Sequence, residues 1–234
     1  MAHTGMIQNA DDFGQKLEGE GSEALATEEV LATTRAVRFR LDFDQPVEFE
    51  QVKHCLRLAL QAPNGGNFQR WRWLVVTDEE RRKAIAEVYR NAFHDRYGPA
   101  LEDPAGMPAV LRGPYHLAKN LHRVPVLVIP CLELSGTELP EKNQAGIWGS
   151  ILPAAWSYML AARTRGLGTT WTSVHLARES ETAAILNLPP TVRQGALIPT
   201  AHVTGDHGFR PAPREPLETV LHHDHWQTPT PPTP

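Results

Sequence analysis

The stretch Ala62-Pro63-Asn64-Gly65-Gly66-Asn67-Phe68-Gln69-Arg70-Trp71 lies between an amphipathic helix pattern and the apolar run Trp73-Leu74-Val75-Val76. We therefore predict a helix-to-strand turn. A turn so rich in Pro, Gly and Asn brings backbone N–H and C=O groups close to a ligand, because Gly carries no Cβ. The carboxamides add donors and acceptors that match the edge of a flat heterocycle. The alternative interpretation is a plain surface turn.

The length and charge of the chain exclude several classes of protein. With 234 residues it can bury one sizeable core, which favours one domain. The hydrophobic share of 41% and the charged share of 21% are typical of soluble globular proteins. Because the net charge is −4 and the arginines are dispersed, we expect no nucleic-acid partner.

Compartment and metal content can also be judged from the sequence. Cys55 and Cys131 lie outside any CxxC or His-rich spacing, which argues against a metal site or a disulfide framework. The first residues lack the pattern of a secretory signal, and no apolar run reaches the roughly 20 residues that a bilayer requires. We expect a cytoplasmic protein without membrane contact.

Helical and strand patterns alternate along the chain. Strands are predicted over residues 71–77, 124–130, 166–173 and 195–204, and helices over 27–34, 48–61, 79–93, 143–165 and 179–187. Breakers and prolines within the strand patterns favour a mixed sheet over a regular doubly wound one. Two prolines place the 124–130 strand at a sheet edge or strand end.

Two segments have special features. The helix over 143–165 is apolar nearly all round, so it is expected to run through the middle of the molecule or through a subunit interface. Residues 94–123 contain many glycines and prolines, which predicts an irregular segment. That segment is either a lid over a site or an exposed excursion.

Common catalytic motifs are missing from the sequence. It has no nucleophile elbow, no Walker A loop and no GxGxxG after a strand. The cluster His222-His223-Asp224-His225 offers metal-ligand chemistry, but neighbouring residues near a chain end rarely converge on one ion, so no metal site is expected.

The remaining polar features form a set dispersed over the chain. They are Arg35 and Arg38, the 64–71 loop, the segment Trp171-Thr172-Ser173, and Arg214. The planar guanidinium fork of arginine suits phosphate. The set is suited to a ligand with an anionic end and a large planar end that forms hydrogen bonds. Flavin mononucleotide (FMN) fits that description.

The order of four motifs resembles the FMN-dependent nitroreductase family, of the actinobacterial type. The resemblance covers roughly residues 30–226. The motifs are Thr34-Arg35-Ala36-Val37-Arg38, the stretch from Ala62 to Trp71, Gly166-Leu167-Gly168 after the long helix, and Arg214-Glu215-Pro216-Leu217-Glu218-Thr219-Val220. The resemblance implies an α+β fold with three α/β/α layers. It also implies a central mixed, mainly antiparallel sheet and a long central helix at a dimer interface.

The resemblance also implies roles for individual residues. Arg35 and Arg214 would hold the FMN phosphate. Arg38 would lie near the N1/O2 edge of the isoalloxazine, where a cation stabilises the negative charge of reduced flavin. The loop contacts would come from Asn64, Asn67 and Gln69. The backbone of Trp171, Thr172 and Ser173 would face the flavin, with one N–H near N5, and no side chain would act as a nucleophile.

Family members are homodimers with FMN at the subunit interface, so the resemblance implies that the partner subunit supplies part of each site. Residues 1–25 would form a flexible or partner-wrapping arm. Residues 26–226 would form one nitroreductase-like domain, and residues 227–234 a disordered Pro/Thr tail.

Four positions depart from the family pattern. Thr34 stands where the family has Arg, and Ala36 where it has Ser, which weakens two expected phosphate contacts. Arg70 replaces a Pro and Asn64 a Ser in the loop. Because Arg35, Arg38 and Arg214 remain, we expect FMN binding to be retained.

The expected activity is that of an FMN-dependent NAD(P)H oxidoreductase that reduces nitroaromatic or quinone-like acceptors by a ping-pong mechanism. NADPH or NADH delivers a hydride to flavin N5, and the acceptor then takes the electrons. The 94–123 segment would cover the substrate. Alternatives are a non-catalytic FMN-binding or FMN-sequestering protein, a related dehalogenase, enone reductase or oxygen-dependent flavin-cleaving enzyme, and an interaction domain without cofactor.

Overall fold

A computed structural model describes residues 27–101, 106–205 and 209–226. The predicted arm over residues 1–25 and the predicted tail over residues 227–234 lie outside the described residues. The domain boundaries therefore stay predictions.

Six α-helices and five β-strands make up the described residues. The helices are α1 Thr27–Thr33, α2 Phe49–Ala59, α3 Glu79–Leu101, α4 Ala109–Asn120, α5 Gln144–Arg163 and α6 Glu179–Ile185. The strands are β1 Trp71–Val76, β2 Val126–Glu133, β3 Leu167–Thr169, β4 Val192–Gln194 and β5 Ile198–His202. The short strand β4 is missing from the sequence-based prediction, because three residues carry too little periodicity to stand out.

The strands form one sheet in the order β1-β2-β5-β3, with β4 also paired to β2. Each strand pair among the described residues is antiparallel. The predicted fold class, an α+β fold with a mainly antiparallel central sheet, is confirmed.

Strand β2 divides the core between the two faces of the sheet. Its residues Leu127, Ile129 and Cys131 pack into one cluster with α3 and α4, whereas Val126 and Val128 pack into a second cluster with α2 and α5. Side chains alternate across a strand, so a fully apolar strand is covered on both faces. The helices therefore form two layers around the sheet, which gives the predicted three-layer α/β/α arrangement.

Of the two positions predicted for the prolines of this strand, the strand end holds for Pro125, which directly precedes β2. The sheet edge is wrong, because β2 lies between β1 on one side and β4 and β5 on the other. The Pro130 carbonyl accepts a 2.8 Å hydrogen bond from Gly195 N–H, so the polar edge of Pro130 faces that second side. There the β5 ladder stops at Val128 and the β4 ladder begins at Cys131. Pro130, which has no N–H, lies in the gap between these two ladders, so neither ladder loses a hydrogen bond.

The prediction of an irregular 94–123 segment is also wrong. Helix α3 continues through Gly98 to Leu101, and α4 follows even though it contains Pro114. The α4 residues Leu117 and Ala118 are buried in the core. Burial of this face outweighs the one helical hydrogen bond that a proline removes.

Helix α5 has the boundaries that its sequence signals predict. Asn143 is the N-cap residue, and its side chain accepts a hydrogen bond from Gly146 N–H. After the last turn Gly166 adopts a positive φ of 72°, the left-handed conformation that ends many helices. Tyr158 of α5 is fully buried, and its hydroxyl lies 3.0 Å from Thr200 Oγ1 of β5. The helix is thereby fixed against the sheet.

Among the described residues, the helices are all too short or too polar to cross a membrane.

Candidate functional site

The segment that carries Arg35 and Arg38 is fixed against strand β3. Val37 lies between the two arginines, is buried, and donates its N–H to the Thr169 carbonyl at 2.8 Å. Because this anchor points Val37 into the core, the flanking arginines remain nearer the surface, and both are half-buried.

Gly168 permits this close packing of the arginine segment on β3. A Cβ at Gly168 would lie 2.8 Å from Val203 Cγ2 and 3.0 Å from Val37 Cγ1.

We expect Gly168→Ala to lower the free energy of unfolding by about 1–3 kcal/mol, the usual cost of overpacking. Thermal denaturation would measure it, and Gly136→Ala, whose Cβ meets nothing within 4 Å, is the matched control. Equal melting temperatures for the two variants would contradict this account.

Arg35 and Arg214 line the same cavity, of about 410 Å³, although they are far apart in sequence. Trp156 of α5 and the C-terminal end of α1 complete the wall, and none of the described lining residues is acidic. Two guanidinium groups at one cavity without a carboxylate make a suitable environment for an anion.

Arg35 retains capacity for a ligand. Its guanidinium donates to the Thr34 and Ala32 carbonyls at 2.5 and 2.9 Å, which satisfies carbonyls at the end of α1. A guanidinium has five N–H donors, so three remain. Arg214 is exposed and makes one long bond, 3.3 Å, to the Pro213 carbonyl. Both arginines can therefore turn donors toward an anion in the cavity.

Arg38 lies at a second position, beside Tyr89 of α3. The Tyr89 hydroxyl lies 3.1 Å from Thr172 Oγ1, and both residues are buried. Burial raises the pKa of Tyr89, and the Thr172 hydrogen bond and the Arg38 charge partly offset this effect. Burial lowers the pKa of Arg38, yet a guanidinium stays charged at neutral pH. Tyr89 thus contacts Thr172 of the predicted Trp171–Ser173 segment and lies close enough to Arg38 to feel its charge.

The backbone N–H groups of Trp171–Ser173 differ in whether they already have a hydrogen-bond partner. Thr172 exchanges two hydrogen bonds with Leu197, at 3.0 and 2.8 Å, so its N–H is occupied. The hydrogen bonds recorded among the described residues leave the N–H groups of Trp171 and Ser173 unused. Successive N–H groups of an extended chain point to opposite sides, so these two point away from Leu197. Either one, rather than Thr172, is the candidate donor for a ligand.

The 64–69 loop is a compact turn with its own internal hydrogen bonds. Asn64 Oδ1 accepts from Gln69 N–H at 2.9 Å, and Asn67 Oδ1 accepts from Gln69 Nε2 at 3.0 Å. Positive φ angles occur at Gly66, Asn67 and Gln69. Among the described residues, Asn67 Nδ2 and Gln69 Oε1 have no recorded partner, and both residues are exposed. The loop therefore presents one donor and one acceptor outward.

The single chain brings the predicted residues together in three groups. Arg35 and Arg214 share a cavity, Tyr89 is hydrogen-bonded to Thr172 and feels the charge of Arg38, and the 64–69 loop stands apart. The hydrogen bonds, ring contacts and cavities of the described residues do not link the loop to Arg35, Arg38 or Arg214.

Two residues near these groups, Tyr89 and His175, were not predicted from the sequence as site candidates. A tyrosine on the inward face of a helix is a usable signal, since a buried hydroxyl needs a partner.

His175 lies two residues after Ser173 and is fully buried. Burial lowers its pKa from 6.5 to about 4, with the Gln194 side chain offsetting part of this shift. The folded protein therefore binds this proton less readily than the unfolded chain. Stability from this group is complete above pH 6.5 and is lost as the pH falls toward 4, by up to about 3 kcal/mol.

We expect this loss in urea unfolding midpoints measured from pH 7 to pH 4. His175→Gln, which cannot be protonated in this range, is expected to lose less stability over the same interval. Identical pH slopes for the natural protein and this variant would show that His175 does not control acid stability.

Metal-binding residues are not clustered in the described part of the chain: no group of three or more His, Cys, Asp or Glu side chains could hold an ion there. His222 instead stacks on Trp226 with a centroid distance of 4.2 Å.

Comparison with known proteins defines the class. The sequence profile of the nitroreductase family matches residues 31–202. The chain is 32% identical over 157 residues to the 5,6-dimethylbenzimidazole synthase of Rhodospirillum rubrum, covering 63% of this chain and 67% of that protein.

Solved structures share the fold. An iodotyrosine deiodinase bound to FMN and 3-iodo-L-tyrosine superimposes with a TM-score of 0.65 at 21% identity, covering 86% of this chain and 99% of the other. An FMN- and NADPH-dependent nitroreductase from Sphigopyxis sp. strain HMH gives a TM-score of 0.65 at 19% identity, with coverage of 86% and 100%. These likenesses define a nitroreductase-like α+β fold. The chain belongs to the nitroreductase family, a family of oxidoreductases.

Proposed function

We propose that the protein is an FMN-dependent NAD(P)H oxidoreductase that reduces nitroaromatic or quinone-like acceptors. The observation that carries the proposal is the arrangement of one short segment. Its Arg35 lines an acid-free cavity with Arg214, and its Arg38 is a half-buried cation whose charge acts on Tyr89, the hydrogen-bond partner of Thr172.

The chemistry of the described residues suits FMN. The Arg35–Arg214 cavity offers donors for a phosphate dianion. Arg38 offers a positive charge for an electron-rich ring edge, and the free N–H of Trp171 or Ser173 offers a donor to a ring nitrogen. Asn67 and Gln69 offer a donor and an acceptor for carbonyl and imide groups.

FMN, when bound, would supply N5 as the hydride acceptor and return electrons to the substrate. The protein's own residues would act through position and charge. Arg35 and Arg214 would fix the phosphate. Arg38, already desolvated by burial, would stabilise negative charge on the ring without reorganisation. Tyr89, by holding Thr172 at 3.1 Å, would keep the backbone donors aligned.

We further propose that the active unit is a homodimer in which the 64–69 loop completes the partner's site. The isolated position of this loop supports the proposal. Large apolar side chains are exposed on α1, α5 and the C-terminal segment, and they would be buried in a dimer: Leu31, Trp156, Leu217, Val220, Leu221 and Trp226. Helix α4, which contacts Arg38 through Gly113, would cover the substrate.

The test is the visible spectrum of FMN-loaded protein, recorded anaerobically before and after addition of NADPH or NADH. Bleaching, followed by recovery on addition of a nitroaromatic or a quinone, is the expected result. A bound flavin that neither nucleotide bleaches would favour a non-catalytic FMN-binding protein. Protein that does not bind added FMN would overturn the proposal.

A second candidate is oxygen-dependent cleavage of the flavin itself, favoured by the 32% identity to a 5,6-dimethylbenzimidazole synthase. Exposure of the bleached protein to oxygen distinguishes the two. Mass spectrometry would find intact FMN under the main proposal and 5,6-dimethylbenzimidazole under the alternative.

A further inference from the structure

A second cavity, of about 510 Å³, lies between Phe39 and one face of helix α4. The wall from α4 carries Arg112, Tyr115, His116 and Lys119. None of the described lining residues is acidic. A volume between roughly 300 and 1,000 Å³ is typical of small-molecule sites.

The cationic face of α4 follows from helical spacing. Arg112, His116 and Lys119 are four and three residues apart, so they share one face of the helix, while Leu117 and Ala118 are buried on the other. Burial and the Lys119 charge lower the pKa of His116, so the imidazole is neutral at pH 7. The positive charges of this face are therefore those of Arg112 and Lys119, two helical turns apart. An anionic ligand placed between their side chains is attracted by both.

The same cavity offers aromatic surfaces. Phe39 is 63% exposed, which is unusual for so large an apolar side chain, and its ring centroid lies 4.9 Å from that of His116. Lys119 Nζ lies 5.3 Å from the centre of the Tyr115 ring. The cavity therefore combines flat apolar surfaces with two positive charges, which suits a heteroaromatic ring that carries a phosphate.

This cavity adjoins the candidate flavin site. Phe39 directly follows Arg38 in the chain. A Cβ built on Gly113 of α4 would lie 3.1 Å from Arg38 Cδ and 3.7 Å from Phe39 Cε2. The lack of a side chain at Gly113 lets Arg38 and Phe39 both pack against the helix. Because these two residues are consecutive in the chain, the α4 cavity and the candidate flavin site are adjacent.

We propose that this α4 cavity binds the 2′-phosphoadenosine end of NADPH, a proposal that rests on the NAD(P)H-dependent activity proposed above. Phe39 and His116 stack on the adenine, and Arg112 and Lys119 bind the 2′-phosphate. NADH carries a hydroxyl where NADPH carries this phosphate, so it forfeits both charged contacts. The protein prefers NADPH as its electron donor.

Calorimetric titration of the FMN-loaded protein with 2′,5′-ADP and with 5′-AMP tests the site without turnover. The double variant Arg112→Ala/Lys119→Ala is compared with Lys83→Ala/Arg90→Ala on α3. Arg112, Lys119 and Lys83 are exposed and Arg90 is partly exposed, so the core is unaffected. Loss of two charge-assisted contacts weakens 2′,5′-ADP binding about 100-fold in the first variant and leaves 5′-AMP binding unchanged. The control variant binds both nucleotides as the natural protein does.

Anaerobic bleaching by NADPH and by NADH separates this inference from the proposed function. The expected result is that the first double variant slows reduction by NADPH at low concentration and leaves reduction by NADH unchanged. If NADPH reduces the natural protein and this variant equally well, and 2′,5′-ADP binds both equally, the inference is overturned while the proposed function stands. If neither nucleotide bleaches the flavin but the variant still loses 2′,5′-ADP binding, the proposed function fails and the site remains.

Discussion

Arg38→Ala is expected to slow reduction of bound FMN by about 100-fold or more, the usual effect of removing one preorganised charge from a reacting centre. Arg38 is half-buried and packs against Gly113, so water cannot fully replace its charge. The two-electron reduction potential of the flavin should fall together with the rate, because the cation favours the negatively charged reduced ring. Rapid-mixing absorbance at saturating NADPH measures the rate on fully loaded protein.

Two variants control for this result. Arg90 follows Tyr89 on α3 and its side chain is partly exposed, so Arg90→Ala should behave as the natural protein. Arg38→Lys keeps the charge but lacks the planar fork, so it should recover part of the rate. A fully loaded Arg38→Ala protein that bleaches at the natural rate would exclude this role for Arg38.

Removing Arg35 and Arg214 is expected to weaken FMN binding more than any other pair of surface changes. Each guanidinium would make charge-assisted hydrogen bonds to the phosphate, so each single Ala variant should bind FMN roughly 10- to 100-fold more weakly. Fluorescence quenching of FMN during titration of the apoprotein measures both constants. Riboflavin, which lacks the phosphate, should bind the natural protein and the variants equally.

The control for this experiment is Arg81→Ala, an exposed position paired with Asp78 at the start of α3. The structural role of Arg35 at the end of α1 is checked by thermal unfolding of each apoprotein. Parallel losses of FMN and riboflavin affinity would indicate a general disturbance of the site and count against a phosphate role.

The sequence predicted most elements because their signals are local. Helix α5 begins after Asn143 and ends before Gly166, residues whose capping preferences do not depend on distant contacts. Strand β1 is preceded by a Pro/Gly/Asn turn for the same reason. The wrong predictions at Pro130 and at Gly113-Pro114 share one cause. Proline and glycine weaken a strand or helix locally. Whether the element still forms depends on the tertiary packing around it.

The candidate site shows the same division. The sequence by itself determined that arginines, a carboxamide-rich loop and a hydroxyl-rich strand were present in an order that resembles one family. Only the tertiary structure decided that Arg214 faces the cavity of Arg35, that Tyr89 bonds Thr172 within reach of the Arg38 charge, and that α4 turns its cationic face toward Phe39. Side-chain type and spacing are properties of the chain. Residues far apart in sequence are brought together by packing of the core, and the local sequence pattern does not reveal that packing.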